Sequence, residues 1–155
     1  MKMKGHIKLV DFGFSKSLRQ IGKTHTNCGT PVYIAPEIIQ GIGHGFEVDV
    51  WSLGILICEM ASGQTPFQAE STKAVYEKIC MCQPVYNRKV PNIVRDLLDK
   101  IFVTDPGMRL TFDEMKKHAV FKDFDFSVAM IDRIRGPAPW VPEEDLLEEL
   151  ADRDS

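Results

Sequence analysis

The chain has 155 residues, 44% of them apolar and 26% charged, which is the make-up of one ordinary globular domain with a single core rather than of a disordered or fibrous chain. Its net charge of −3 is uneven: from Glu143 onward seven acids face Arg153 alone, so the preceding body carries a mild positive excess. That excess is spread along the sequence and not clustered, which excludes a nucleic-acid footprint, and no apolar run near the start is long enough for the core of a signal peptide.

In chain order, residues 6–10 alternate polar and apolar side chains and deliver Asp11 to the end of a short strand or β-hairpin. Residues 15–28 are polar and without period, as in a loop. Residues 47–62 carry apolar side chains on almost every side, among them Val50, Trp51, Ile55, Leu56, Cys58 and Met60. Such a helix is expected to be buried all round, is too short to cross a membrane, and is closed by Gly63. A shorter amphipathic helix follows over residues 73–81, with Val75, Tyr76 and Ile79 inward. Asn92 is placed to cap a third helix whose apolar residues Ile93, Val94, Leu97, Leu98, Ile101 and Phe102 follow helical spacing. After the Asp105-Pro106-Gly107 turn, Thr111 and Glu114 have capping-box spacing and open a fourth helix running through Lys116 to His118.

The four cysteines, Cys28, Cys58, Cys80 and Cys82, lack the spacing of a disulfide framework. Reduced thiols in a cytoplasmic protein are the expectation. Cys80 and Cys82 have no second pair at zinc-site spacing. Pro139 and Pro142 spell a Pro-x-x-Pro element of the kind an SH3-like groove binds.

Two motifs carry chemistry. Asp11-Phe12-Gly13 is a weak signal by itself, but Gly29-Thr30-Pro31-Val32-Tyr33-Ile34-Ala35-Pro36-Glu37 begins 16 positions after Gly13 and is long enough to be specific. Asp49-Val50-Trp51-Ser52-Leu53-Gly54 and Arg109 follow in the same order as in protein kinases. On these residues the chain resembles the C-terminal lobe of a eukaryotic Ser/Thr protein kinase of the AGC group. The block Thr24-His25-Thr26-Asn27-Cys28-Gly29 and the Pro-Trp-Val-Pro stretch are most like the cyclic-GMP-dependent branch. The fold implied is mainly α, the helical lobe of a two-lobed α+β kinase, with residues 1–121 as a partial kinase domain and 122–155 as the start of a C-terminal tail with an acidic end.

The resemblance also implies roles. Asp11 would hold magnesium across the phosphates of ATP, and Thr26 would be the activation-loop phosphosite, its phosphate gripped by Lys16. Glu59, Ile34 and Thr30 would meet the substrate, Glu59 by contacting a basic residue that precedes the target Ser or Thr. Glu37 and Arg109 would form a buried ion pair, and Asp49, at the start of the long helix, would accept backbone N–H groups of a catalytic loop that these residues lack, where an acid that merely stabilises the helix N-terminus would need no partner. The implied partners are basic protein or peptide substrates and an upstream activating kinase, with neither nucleic acid nor membrane.

The parts that complete a kinase are missing from these residues: a Gly-rich loop, a strand Lys with its helix Glu, and a His-Arg-Asp catalytic loop. Magnesium-ATP serves the whole family, but no cofactor is expected on this chain alone. Two readings follow: the C-terminal part of a kinase domain, inactive by itself, or a non-catalytic interaction or decoy module. For the chain alone, the long helix is expected to leave an uncovered apolar strip that includes residues such as Leu53, Ile57 or Met60, whereas a compact monomer without such a strip would favour the interaction module.

Overall fold

The computed structural model describes Leu9, Val10, Gly13 and residues 30–127. The chain divides into two compact units, Phe14–Lys122 and a second made of Met1–Gly13 with Asp123–Ser155. Of the strand expected before Asp11, only Leu9 and Val10 are described, and neither lies in a strand.

The larger unit is helical. Five α-helices are described in it: α1 Pro36–Gln40, α2 Glu47–Ser62, α3 Thr72–Cys80, α4 Asn92–Ile101 and α5 Phe112–Lys116. Three 3₁₀ turns, Pro31–Tyr33, Pro106–Met108 and Ala119–Phe121, join or flank them. Proline opens α1 and two of the turns, where the missing N–H costs nothing because no partner awaits it.

The long helix α2 begins with Glu47 and Asp49 in its first turn, where carboxylates oppose the helix dipole favourably. It ends at Gly63, whose φ of 76° lies in the left-handed region and whose N–H donates to the Glu59 carbonyl at 2.7 Å. Its inner face places Trp51, Ile55 and Cys58 in one buried cluster with Leu97, Leu98 and Ile101 of α4 and with Val75 and Ile79 of α3. Phe67 stacks on Trp51 with centroids 5.5 Å apart, and Phe102 meets both rings edge-on at 5.0 and 5.3 Å. Gly54 lets α4 come close: a Cβ there would sit 2.6 Å from Ile101 Cγ2.

The helix is not buried all round. Leu56 is 41% and Met60 70% exposed, while Leu53 and Ile57 are half-buried and packed on the core. The expected strip is therefore shifted toward Leu56 and Met60.

The shorter helices are fixed at their ends. Ser71 Oγ accepts the Ala74 N–H at 3.2 Å, and the Thr111–Glu114 capping box closes reciprocally. Asn92 does not cap α4; it is the first helical residue, and Pro91, extended and without a side-chain acceptor, takes the cap position. α5 ends at Lys116, because His118 turns outward from the helix to cap the Ala119–Phe121 turn. In the smaller unit, Asp125 accepts from the Ser127 N–H and hydroxyl at 2.8 and 2.6 Å, and the Phe124 and Phe126 rings meet edge-on.

Candidate functional site

The residues of interest gather where the segment leading into α1 lies against α2. Thr30, exposed, precedes the first 3₁₀ turn and caps it only through its carbonyl, which accepts the Tyr33 N–H at 2.9 Å. Its hydroxyl caps nothing. Tyr33 then turns toward α2. Its hydroxyl donates to Glu59 Oε2, and Ser52 Oγ donates to the Tyr33 carbonyl at 3.1 Å. The segment is thereby pinned to α2 at points separated by two helical turns.

Glu59 is half-buried, so its charge needs a donor, and Tyr33 supplies one. The contact works in both directions. Accepting from Tyr33 and lying beside it, the carboxylate pushes the tyrosine hydroxyl up to about 12, with burial adding to the effect. A carboxylate offers about four acceptor sites, and a single phenol hydroxyl fills one of them, so Glu59 retains capacity for a cationic donor. Ile34, the next residue, is 5% exposed and faces the interior.

Glu37, at the start of α1, and Arg109 are buried and joined as a bidentate pair. Nη1 reaches Oε1 at 2.7 Å and Nη2 reaches Oε2 at 3.0 Å. The same guanidinium donates to the Glu47 carbonyl at 2.8 Å and the Val103 carbonyl at 3.1 Å, and its Cζ lies 5.0 Å from the centre of the Trp51 ring. Planar, forked donors and a weakly hydrated face suit Arg to this position, where a Lys ammonium would leave one carboxylate oxygen or one carbonyl without a donor. Among the described residues, Arg109 Nε and Trp51 Nε1 are buried without a hydrogen-bond partner. Asp49, in the first turn of α2, stays exposed; desolvation by the surrounding structure raises its carboxyl above the ordinary value, with the His44 charge opposing.

Asp11, Lys16 and Thr26 lie outside the described residues. Among the described residues no cluster of three or more His, Cys, Asp or Glu could hold a metal ion, and no helix is long and apolar enough to cross a membrane. Cys58, Cys80 and Cys82 are free thiols. Sequence reasoning gave Tyr33 and Ser52 no role of their own, since nothing in the spacing joins Tyr33 to a residue 26 positions away.

The chain matches the protein kinase domain family over residues 1–121. It is 42% identical over 138 residues to the cAMP-dependent protein kinase catalytic subunit 3 of Drosophila melanogaster, an alignment covering 86% of this chain and 23% of that protein. Over 138 residues it is 41% identical to the cAMP-dependent protein kinase catalytic subunit PRKX of Mus musculus, covering 86% of this chain and 38% of the relative. Over 135 residues it is 38% identical to the mouse protein kinase C delta type, covering 86% and 20%. The chain thus spans well under half the length of each of these relatives.

Proposed function

This chain belongs to the protein kinase domain family, and from that premise we propose that it is the C-terminal part of a Ser/Thr protein kinase domain of the cyclic-nucleotide-dependent type, most like the cyclic-GMP-dependent branch. Its relatives include cAMP-dependent protein kinases, which supports ATP-dependent phosphoryl transfer to Ser or Thr as the reaction of the whole protein. Residues 1–121 carry the activation segment and helical lobe, and 122–155 begin a C-terminal tail.

In this reading the described residues serve the protein substrate. Kinase domains draw the transferred group from magnesium-ATP, and of the 155 residues Asp11, outside the described ones, is the one that would hold the metal. Glu59 receives the positive side chain that precedes the target hydroxyl, held in place by Tyr33. Glu37 and Arg109 tie the substrate-side segment to the core, so that the segment keeps one shape when a peptide arrives. Thr26, when phosphorylated by an upstream kinase, is gripped by Lys16 and orders the preceding loop. The 155 residues by themselves do not transfer phosphate, having neither a general base from a His-Arg-Asp loop nor a Gly-rich nucleotide cradle.

The observation that carries the reading is the Tyr33–Glu59 contact, which sets an acidic group beside the segment running from Thr30 to Glu37. The test is fluorescence anisotropy with two labelled peptides, one bearing arginines before its serine and the other alanines. The arginine peptide should bind more tightly, and Glu59→Gln should reduce that difference about tenfold. Equal binding of the two peptides to the natural chain would remove Glu59 as the substrate contact.

A further inference from the structure

Away from this site, the stretch from the end of α3 into α4 is charged with one sign only. Between Lys78 and Arg95 stand the cations Lys78, Arg88, Lys89 and Arg95, and no acid. Two of them are engaged within the fold. Lys78 donates to the Gln68 carbonyl at 2.7 Å, and Arg95 donates through Nε to the Val90 carbonyl at 3.0 Å and through Nη2 to the Asn87 carbonyl at 2.9 Å.

Those two Arg95 bonds brace both ends of a tight turn, residues 87–90, which the Val90 N–H closes on the Asn87 carbonyl at 3.0 Å. Inside the turn the Asn87 side chain accepts the Lys89 N–H at 3.1 Å, and Val90 is buried. Just before it, the Val85 N–H donates to the Pro66 carbonyl at 2.8 Å and the Tyr86 hydroxyl to Asp99 at 2.7 Å. A segment outside any helix or strand is thus held from both sides. Arg88 and Lys89, the two central residues of the turn, are exposed, and among the described residues their side chains have neither a hydrogen bond nor an ion pair. Val85 and Ile93, also exposed, stand three residues before Arg88 and four after Lys89.

Cations that serve only solubility gain nothing from a fixed backbone. A ligand does gain, because a turn already ordered loses little freedom on binding. Arg88 offers a planar fork that suits a carboxylate, and Lys89 adds a point charge beside it. Two cations are too few to hold a membrane surface or a nucleic-acid backbone, both of which draw on larger basic clusters. The apolar side chains on either side lie within about 14 Å of the pair along the chain, a distance that a few extended residues span. A short peptide can therefore meet the charges and an apolar side chain together.

We propose that the 87–90 turn is a docking point for an acidic peptide segment of a partner protein, its carboxylates on Arg88 and Lys89 and an adjacent apolar side chain against Val85 or Ile93. The turn uses none of the residues around Glu59, so the docking stands independently of the substrate reading.

The experiment is fluorescence anisotropy on the full 155-residue chain with a labelled peptide of three glutamates followed by two leucines. One control peptide carries glutamines for the glutamates and another serines for the leucines. The acidic peptide should bind about tenfold more tightly than the glutamine control and severalfold more tightly than the serine control. Arg88→Gln with Lys89→Gln should erase the first difference, while Lys73→Gln, at an exposed cation on α3, and Glu59→Gln should leave it. Both turn side chains lie in water, so the double variant should keep the circular dichroism spectrum of the natural chain. Equal binding of the acidic and glutamine peptides, or undiminished binding by the double variant, would overturn the proposal. So would equal binding of the serine control, which would leave a simple anion site, or loss of binding in Glu59→Gln, which would move the peptide to the substrate site. Tighter binding of phosphatidylserine vesicles or of a short oligonucleotide, lost in the same double variant, would overturn it in favour of those ligands.

Discussion

Four hydrogen bonds converge on the Arg109 guanidinium, and two of them end on a carboxylate as buried as the Arg itself. Removing either partner strands the other as a desolvated charge, so Glu37→Ala or Arg109→Ala should each cost about 3 to 5 kcal/mol in urea unfolding. The double variant should cost far less than the sum, and additive effects would count against the pair as a coupled unit. Tyr33 makes a different prediction, on pH. Its hydroxyl is a weaker acid in the folded chain than the ordinary 10.0, being raised to about 12 by Glu59. The folded state therefore holds that proton more tightly than the unfolded state does. The resulting stabilisation is complete below pH 10 and is lost as pH climbs toward 12. Alkaline absorbance titration should show two late-ionising tyrosines, Tyr33 and the still more strongly raised Tyr86, which is held up by burial and Asp99; Tyr33→Phe should remove the earlier of the two and Glu59→Gln shift it back toward the ordinary value.

At the level of the helices, α2 was legible in the sequence because sixteen residues of dense apolar content end on a glycine, and both its span and its left-handed closure follow from that. The α5 capping box was legible for a similar reason, since its donors and acceptors lie three residues apart. Asn92 misled: an Asn before an apolar run is a good cap, but Pro91 already supplies the extended conformation and pushes Asn92 inside the helix. α1 and the 3₁₀ turns are too short to show a period. Gly54 gives the element-scale test. A methyl group there would meet Ile101 Cγ2 at 2.6 Å and Phe102 at 3.1 Å, both belonging to a packed core that cannot retreat freely. Gly54→Ala should destabilise by about 1 to 3 kcal/mol through separation of α2 from α4, even though alanine favours helix. Thermal melts followed by circular dichroism would read it, and an unchanged or raised midpoint would show that α4 can shift.

Across the molecule, local order could be read from the sequence and long-range pairing could not, because 26 positions separate Tyr33 from Glu59 and 72 separate Glu37 from Arg109. Spacing of that kind has no period, so the Glu37–Arg109 pair became readable only through resemblance to a known family, and the Tyr33–Glu59 contact was not read at all. The outer face of α2 has the opposite character: apolar density alone implied full burial, yet Leu56 and Met60, four residues apart and so neighbours on one helical face, are exposed beside half-buried Leu53 and Ile57. A contiguous apolar stripe of this kind drives association when it stays open to water. The chain alone should therefore bind a hydrophobic dye and sediment faster than a monomer at micromolar concentration. Leu56→Gln with Met60→Glu should reduce both effects with little change in the melting midpoint, since both side chains already contact solvent. A compact monomer without dye binding in the natural chain would show that the stripe is too small or too well screened to act.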